Sequence, residues 1–140
     1  MHIPSSNGLR SRLLRYLARR QLAKEELFQN YIKLLIRKIS RSTILIFGSR
    51  ARGDFVPYSD YDVAVILTFI NDKLELIEKL RRLKPKGLDL DLIVLSINDL
   101  RDPIVKSMLS DSKILYDGLG LKSELRHLGL IRDSYNDIRT

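Results

Sequence analysis

The chain has 140 residues and a net charge of +8, which fits a single domain with an ordinary apolar core. It contains no cysteine, which excludes disulfides and thiolate-bound metals. It also has no apolar run near the ~18–20 residues of a membrane span and no secretory signal pattern, so we expect a cytoplasmic protein.

The net charge is concentrated at the N-terminal end. Residues 1–41 contain ten Lys or Arg and two acidic residues, whereas the rest of the chain has fifteen of each. Leu9, Leu13 and Leu17 recur four apart among arginines, which predicts a helix that continues toward residue 39 as two helices or one bent helix. We interpret residues 1–24 as a basic helical extension. Its charge indicates a phosphate-rich or acidic partner, or only a solvated helix face.

Two short apolar runs then predict neighbouring strands at residues 42–47 and 60–67. The connection between them, mostly turn, is too short for a helical crossover, so the strands should be antiparallel. The later segments predict a helix at 73–83, a strand at 88–95, a helix ending near 110, a short edge strand at 113–116 and a helix at 121–136. This order is typical of an α+β fold, with a small mixed sheet and helices packed on one face.

Two acidic residues stand at the start of the second predicted strand. Asp60 and Asp62 are one residue apart, so their side chains share a face. Carboxylates this close raise each other's pKa unless a cation lies between them, and Mg²⁺ prefers such oxygen ligands. Asp89 and Asp91 share a face of the third strand, and one of them completes a three-carboxylate site if the two strands are adjacent. Two metal ions at such a site can promote phosphoryl or nucleotidyl transfer.

A small basic turn precedes the acidic pair. Gly48 allows the backbone to turn sharply and approach a ligand closely, and successive N–H groups with the Ser49 hydroxyl can bind phosphate oxygens. Arg50 and Arg52 can offset triphosphate charge. Taken singly, such acids are more often solvated or turn caps, and such arginines are more often surface charges. Together, in this order, they predict a site for a metal–nucleotide substrate.

The segment "GSRARGDFVPYSDYDVAV", residues 48–65, resembles the signature of the DNA polymerase β-like nucleotidyltransferase superfamily, in the form found in its minimal nucleotidyltransferase (MNT) branch. The matching positions are Gly48, Ser49, Ala51, Arg52, Gly53, Ser59, Asp60 and Asp62. The segment "LDLIVLS", residues 90–96, is similar to the strand of the third aspartate, which points to Asp91 rather than Asp89. The likeness covers about residues 25–118, the expected nucleotidyltransferase domain, and leaves 119–140 as a helical tail.

The resemblance implies a mechanism and a partner. Asp60 and Asp62 would bind two Mg²⁺ ions, and Asp91 would hold the catalytic ion. Gly48 and Ser49 would bind the phosphates of ATP, with Arg50, Arg52 and Ser59 in the same nucleotide-binding set. An NMP, typically AMP, would pass to a hydroxyl group, which in this branch is a tyrosine of a HEPN-type toxin silenced by its antitoxin.

Other functions remain open from the sequence. A transferase of this kind can act on RNA or a small molecule instead of a protein. A non-catalytic module could bind or scaffold a partner through its N-terminal helices, which also offer a surface for homo-oligomers. Nucleic-acid binding by the basic arm would fall steeply with salt.

Overall fold

The computed structural model describes residues 5–55 and 59–132, with side chains from residue 8 onward. Its first element, α1, is one continuous helix of 34 residues, Ser5–Lys38, where the sequence left one bent helix or two. The second half of α1 buries Phe28, Tyr31 and Leu35. Their spacing of three and four residues is that of one helix face. The first half has no such cover, and its leucines are largely exposed.

Four strands form one sheet in the order β3–β2–β1–β4. They are β1 Thr43–Phe47, β2 Tyr61–Leu67, β3 Leu90–Ser96 and β4 Lys113–Asp117. β1 is antiparallel to β2 and to β4, and β2 is parallel to β3. The antiparallel first pair and the predicted short edge strand are therefore confirmed, and the third strand does lie beside the second.

Short helices connect the strands. The five residues Gly48–Arg52 form α2 directly after β1. Helix α3, Lys73–Arg81, provides the crossover to β3, and the Asp72 side chain caps it by accepting from the Glu75 N–H at 3.1 Å.

The predicted helix that ends near residue 110 is divided in two. A 3₁₀ helix spans Ile97–Arg101 and α4 spans Pro103–Met108, with Asp102 in an extended conformation between them. Proline disfavours the helical conformation of the preceding residue and is well tolerated at a first helical position, so the break falls before Pro103. Helix α5, Lys122–His127, is shorter than the predicted 121–136, whose last four residues lie outside the described chain.

Apolar side chains pack on both faces of the sheet. On the first face, Val63 and Val65 of β2 pack with α1 and α3, and on the second face Ala64 and Ile66 pack with the later helical segments. The α+β class is confirmed, but helices cover both faces rather than the single face predicted. The reason lies in β1 and β2, which are buried along their whole apolar runs and therefore need cover on each side. Within the described ranges no helix has the length and hydropathy of a transmembrane segment.

Candidate functional site

The predicted acidic residues meet at one edge of the sheet, where β2 and β3 begin. Asp62 and Asp91 are direct partners in the parallel register of these strands, and Asp60 immediately precedes β2. Because side chains alternate along a strand, all three acids lie on the second face, in line with Ala64 and Ile66. Asp62 is half-buried, whereas Asp60 and Asp91 are exposed. We call this place the carboxylate edge.

The carboxylates at this edge act on one another. Burial raises the pKa of Asp62, and the charges of Asp91 and Asp60 raise it further. A hydrogen bond with the Asp91 side chain acts in the same direction, and Arg52 opposes these effects. Burial and the neighbouring carboxylates thus disfavour the ionised form of Asp62, and a cation bound between the carboxylates would favour it.

A divalent cation fits this donor set by its chemistry. Carboxylate oxygens are the ligands that Mg²⁺ prefers, and a cation would relieve the repulsion that raises the pKa of Asp62. Among residues 5–55 and 59–132, no group of three or more acidic, histidine or cysteine side chains is positioned to hold a metal ion by itself. Magnesium is usually bound by one or two carboxylates together with substrate phosphates and water, so this finding is compatible with a metal–nucleotide substrate.

Gly48 brings the turn after β1 directly against Asp62. Phe47 is the register partner of Asp62, so Gly48 follows beside that carboxylate. A Cβ atom at Gly48 would overlap Asp62 Oδ2 and lie 3.1 Å from Cγ, and the φ of +74° is itself unfavourable for other residues. Glycine is therefore required at this position for two separate reasons.

Ser49 and Arg52 remain beside the acids. Ser49 is half-buried in the first turn of α2, and its carbonyl accepts from the N–H groups of Gly53 and Asp54. Arg52 Nε lies 3.2 Å from Asp54 Oδ2 in an exposed ion pair. It is also close enough to lower the pKa of Asp62. Arg52 is thus near the carboxylate edge, and Ser49 directly follows Gly48, which packs against Asp62.

Arg50, for which the sequence predicts a role at the triphosphate or, taken singly, a surface charge, is buried in the structure. Its side chain is buried, and Nε donates to the Ser59 carbonyl at 3.0 Å. The guanidinium carbon lies 4.0 Å from the ring centroid of Tyr61 and 4.4 Å from that of Phe55. These contacts favour a structural role, in which Arg50 fixes the position of Ser59 and therefore of Asp60, the next residue.

Tyr61 connects the carboxylate edge to α1, a connection that the sequence does not reveal. Its ring stacks on Phe28, with centroids 4.2 Å apart and an interplanar angle of 13°. Its hydroxyl donates to Glu25 Oε1 at 3.1 Å and accepts from Gln21 Nε2 at 3.4 Å. The only sequence signal is the alternation of β2, which directs Tyr61 to the face opposite the two acids.

Asp89 differs from Asp91 in its contacts. It is 65% exposed and its Oδ2 lies 3.9 Å from Lys24 Nζ of α1. Its backbone carbonyl accepts from the Tyr61 N–H at 3.0 Å, so Asp89 lies just before the paired part of β3. Asp91 is accordingly the β3 acid beside Asp62, in agreement with the sequence resemblance.

Comparisons with known proteins agree with this geometry. The model of the polymerase β nucleotidyltransferase family matches residues 29–118, and no curated protein sequence matches the chain. A protein from Sulfolobus solfataricus described as a nucleotidyltransferase superposes with a TM-score of 0.54 at 23% identity, over 70% of this chain and 84% of that one.

Two further solved structures are similar at lower TM-scores. A toxin–antitoxin complex with AMP-PNP gives 0.48 at 26% identity, over 72% of this chain and 80% of that one. A tri-AMPylated Shewanella oneidensis HEPN toxin in complex with an MNT antitoxin gives 0.46 at 24% identity, over 76% and 81%.

The Sulfolobus structure shows a shared fold. The family model spans more than half of the chain and includes Gly48, Ser49 and the three acids of the carboxylate edge. This chain therefore belongs to the polymerase β nucleotidyltransferase family.

Proposed function

We propose that this protein is a metal-dependent nucleotidyltransferase that transfers AMP from ATP to a hydroxyl group. The observation that carries the proposal is the register pairing of Asp62 with Asp91, with Asp60 on the same face and Gly48 packed against Asp62. This arrangement places three carboxylates, oxygen donors of the kind that Mg²⁺ prefers, beside the glycine turn.

Each residue has a role in this reaction. Asp60, Asp62 and Asp91 would hold magnesium, which when bound would stabilise negative charge on the attacking and leaving oxygens. Gly48 and Ser49 bind the β- and γ-phosphates, and Arg52 adds positive charge beside them. The acceptor oxygen forms a bond to the α-phosphorus as the bond to the bridging oxygen breaks, and pyrophosphate leaves. Asp91, exposed on the edge strand, accepts the proton of the acceptor hydroxyl.

The acceptor that we propose is a protein side chain. The resemblance of residues 48–65 to the MNT branch supports a tyrosine of a HEPN-type toxin, which would make this chain a cytoplasmic antitoxin. The exposure of Asp91 at an edge strand leaves the acceptor side open to a macromolecule.

The experiment follows the label of [α-³²P]ATP in the presence of Mg²⁺ and proteins of the source cell. The wild type should label an acceptor in a protease-sensitive, RNase-resistant form, and Asp62→Asn and Asp91→Asn should not. Asp89→Asn is the matched control, because Asp89 is an exposed acid just before β3 whose carboxylate lies beside Lys24 of α1. Equal labelling by wild type and Asp62→Asn would exclude this mechanism. A label that RNase removes would indicate that the acceptor is RNA rather than a protein.

A further inference from the structure

Residues 8–20 of α1 extend past the carboxylate edge, and we call them the basic arm. Just after the arm, Gln21 and Glu25 bond to Tyr61 at the start of β2, and Lys24 lies beside the residue that precedes β3. The other end of α1 leads into the start of β1, at the opposite edge of the sheet. At 1.5 Å per residue, the arm therefore reaches about 20 Å beyond the carboxylate edge.

The apolar face of the arm continues the face by which α1 packs on the sheet. Leu13 and Leu17 precede Tyr31 and Leu35 by five full helical turns, so each pair lies on the same side of α1. Tyr31 and Leu35 are completely buried, whereas Leu13 is 55% exposed because no strand lies in front of it. A partner bound to this face would take the place that the sheet occupies further along α1, and would lie against the carboxylate edge.

The charge of the arm determines the chemistry of that partner. Residues 8–24 contain five arginines and one lysine but no acidic residue. In the described part of the chain, none of the five arginines forms an ion pair with a carboxylate, and Arg15 and Arg20 donate to the hydroxyls of Ser11 and Tyr16. A second copy of the arm would bring like charges together. A nucleic acid would match the charge but leave the leucines in water.

We propose that the basic arm is the docking surface for the protein that receives the nucleotidyl group, and that this protein presents an apolar groove or helix face bordered by Asp and Glu. Apolar contact with the leucines holds the partner, and the arginines orient its approach. Docking beside the carboxylate edge keeps the acceptor hydroxyl close to the metal–nucleotide site. The identity of the docked protein as acceptor rests on the proposed function, whereas the docking itself does not.

Three labelled probes of matched length and charge test this proposal on the full chain by fluorescence anisotropy. They are a helical peptide of leucine and glutamate with one apolar face, a glutamate-rich peptide without leucine, and a single-stranded RNA. The leucine–glutamate peptide should bind roughly tenfold more tightly than the other two. The double variant Leu9→Ser/Leu13→Ser and the triple variant Arg12→Glu/Arg15→Glu/Arg19→Glu should each lose that advantage.

Leu74→Ser is the matched control, because Leu74 is an exposed leucine on α3, away from the arm, and its replacement should leave binding unchanged. RNA that binds as tightly as the peptide and ignores the leucine variants would overturn the proposal in favour of a nucleic-acid surface. A dimer in sedimentation that dissociates in the leucine variant would overturn it in favour of self-association.

One further comparison distinguishes a failure of this proposal from a failure of the proposed function. Asp62→Asn should leave peptide affinity unchanged while it abolishes label transfer. Peptide binding by a wild type that transfers no label would contradict the proposed function alone. Full transfer to a protein acceptor by the Leu9→Ser/Leu13→Ser variant would contradict the docking role alone.

Discussion

Replacing Gly48 with alanine should greatly reduce the rate of nucleotidyl transfer at the carboxylate edge and should lower the free energy of unfolding only moderately. The new Cβ would overlap Asp62 Oδ2, so the carboxylate must move by on the order of 1 Å to reach ordinary van der Waals separation. That movement changes its position relative to Asp91, its register partner. Misplacement of this size at a reacting centre can reduce the rate about a hundredfold, and we expect a loss of that order in nucleotidyl transfer.

The same substitution also carries a backbone penalty, which a control can measure separately. Gly48 has a φ of +74°, and an alanine in that left-handed region costs about 1–2 kcal/mol of the free energy of unfolding. Gly53 has a φ of +85°, but a Cβ there would meet no atom within 4 Å. Gly53→Ala should therefore show the backbone penalty alone and keep Asp62 in place.

Two measurements on each variant complete the test. Urea unfolding gives the free energy, which should fall by similar amounts in Gly48→Ala and Gly53→Ala. Calorimetric titration with AMP-PNP and Mg²⁺ should show a large loss of nucleotide affinity only in Gly48→Ala, and the rate of label transfer should fall strongly only in the same variant. Equal losses of nucleotide affinity in the two variants would refute the argument that Gly48 is needed for the space beside Asp62.

Three other substitutions test the surrounding structure. Arg50→Lys should lower the free energy of unfolding, measured in urea, by about 1–3 kcal/mol, because it removes the ring stacking and the Nε bond to the Ser59 carbonyl. Unchanged stability together with weaker ATP binding would instead indicate that Arg50 binds phosphate. Tyr31→Phe should cost about 0.5–1.5 kcal/mol in the same assay, since its hydroxyl donates to the Leu80 carbonyl at 2.9 Å. Burial raises the pKa of Tyr31 to about 12 and also raises the pKa of Tyr61, so absorbance titration of Tyr31→Phe should show one late-ionising tyrosine fewer than the wild type. A backbone N–H at the start of the 3₁₀ helix lowers the pKa of Asp99, so its charged form stabilises the fold above the ordinary carboxyl pKa. The Tm difference between wild type and Asp99→Asn should therefore shrink as pH falls through the lowered pKa, and a difference that persists in strong acid would contradict this.

The sequence predicts the central strands because their signals are local. Continuous apolar runs mark β1 and β2, and the short connection between them requires an antiparallel pair. The choice between Asp89 and Asp91 is different, because both lie on the same face by alternation. Only the register of β3 against β2 places Asp91 opposite Asp62, and that register is a pairing between two segments distant in the chain.

The sequence does not predict the position of Arg50 because its environment is assembled from distant segments. Tyr61 lies eleven residues further along and stacks in turn on Phe28, which belongs to a helix that precedes β1. An arginine beside a glycine–serine turn therefore looks like a ligand-binding residue until the packing is known. The same holds for α1, whose exposed first half and buried second half share one apolar pattern.

The precision of the carboxylate edge derives from the apolar core rather than from the acids themselves. Tyr61 and Val63 are almost completely buried on the first face, and they alternate with Asp60 and Asp62. A slip of one residue in β2 would turn the aromatic ring toward solvent and bury two carboxylates against α1, at a cost of several kcal/mol per unpaired charge. Because the core excludes that slip, the mutually repelling acids are held on one face, where a bound cation would relieve their repulsion.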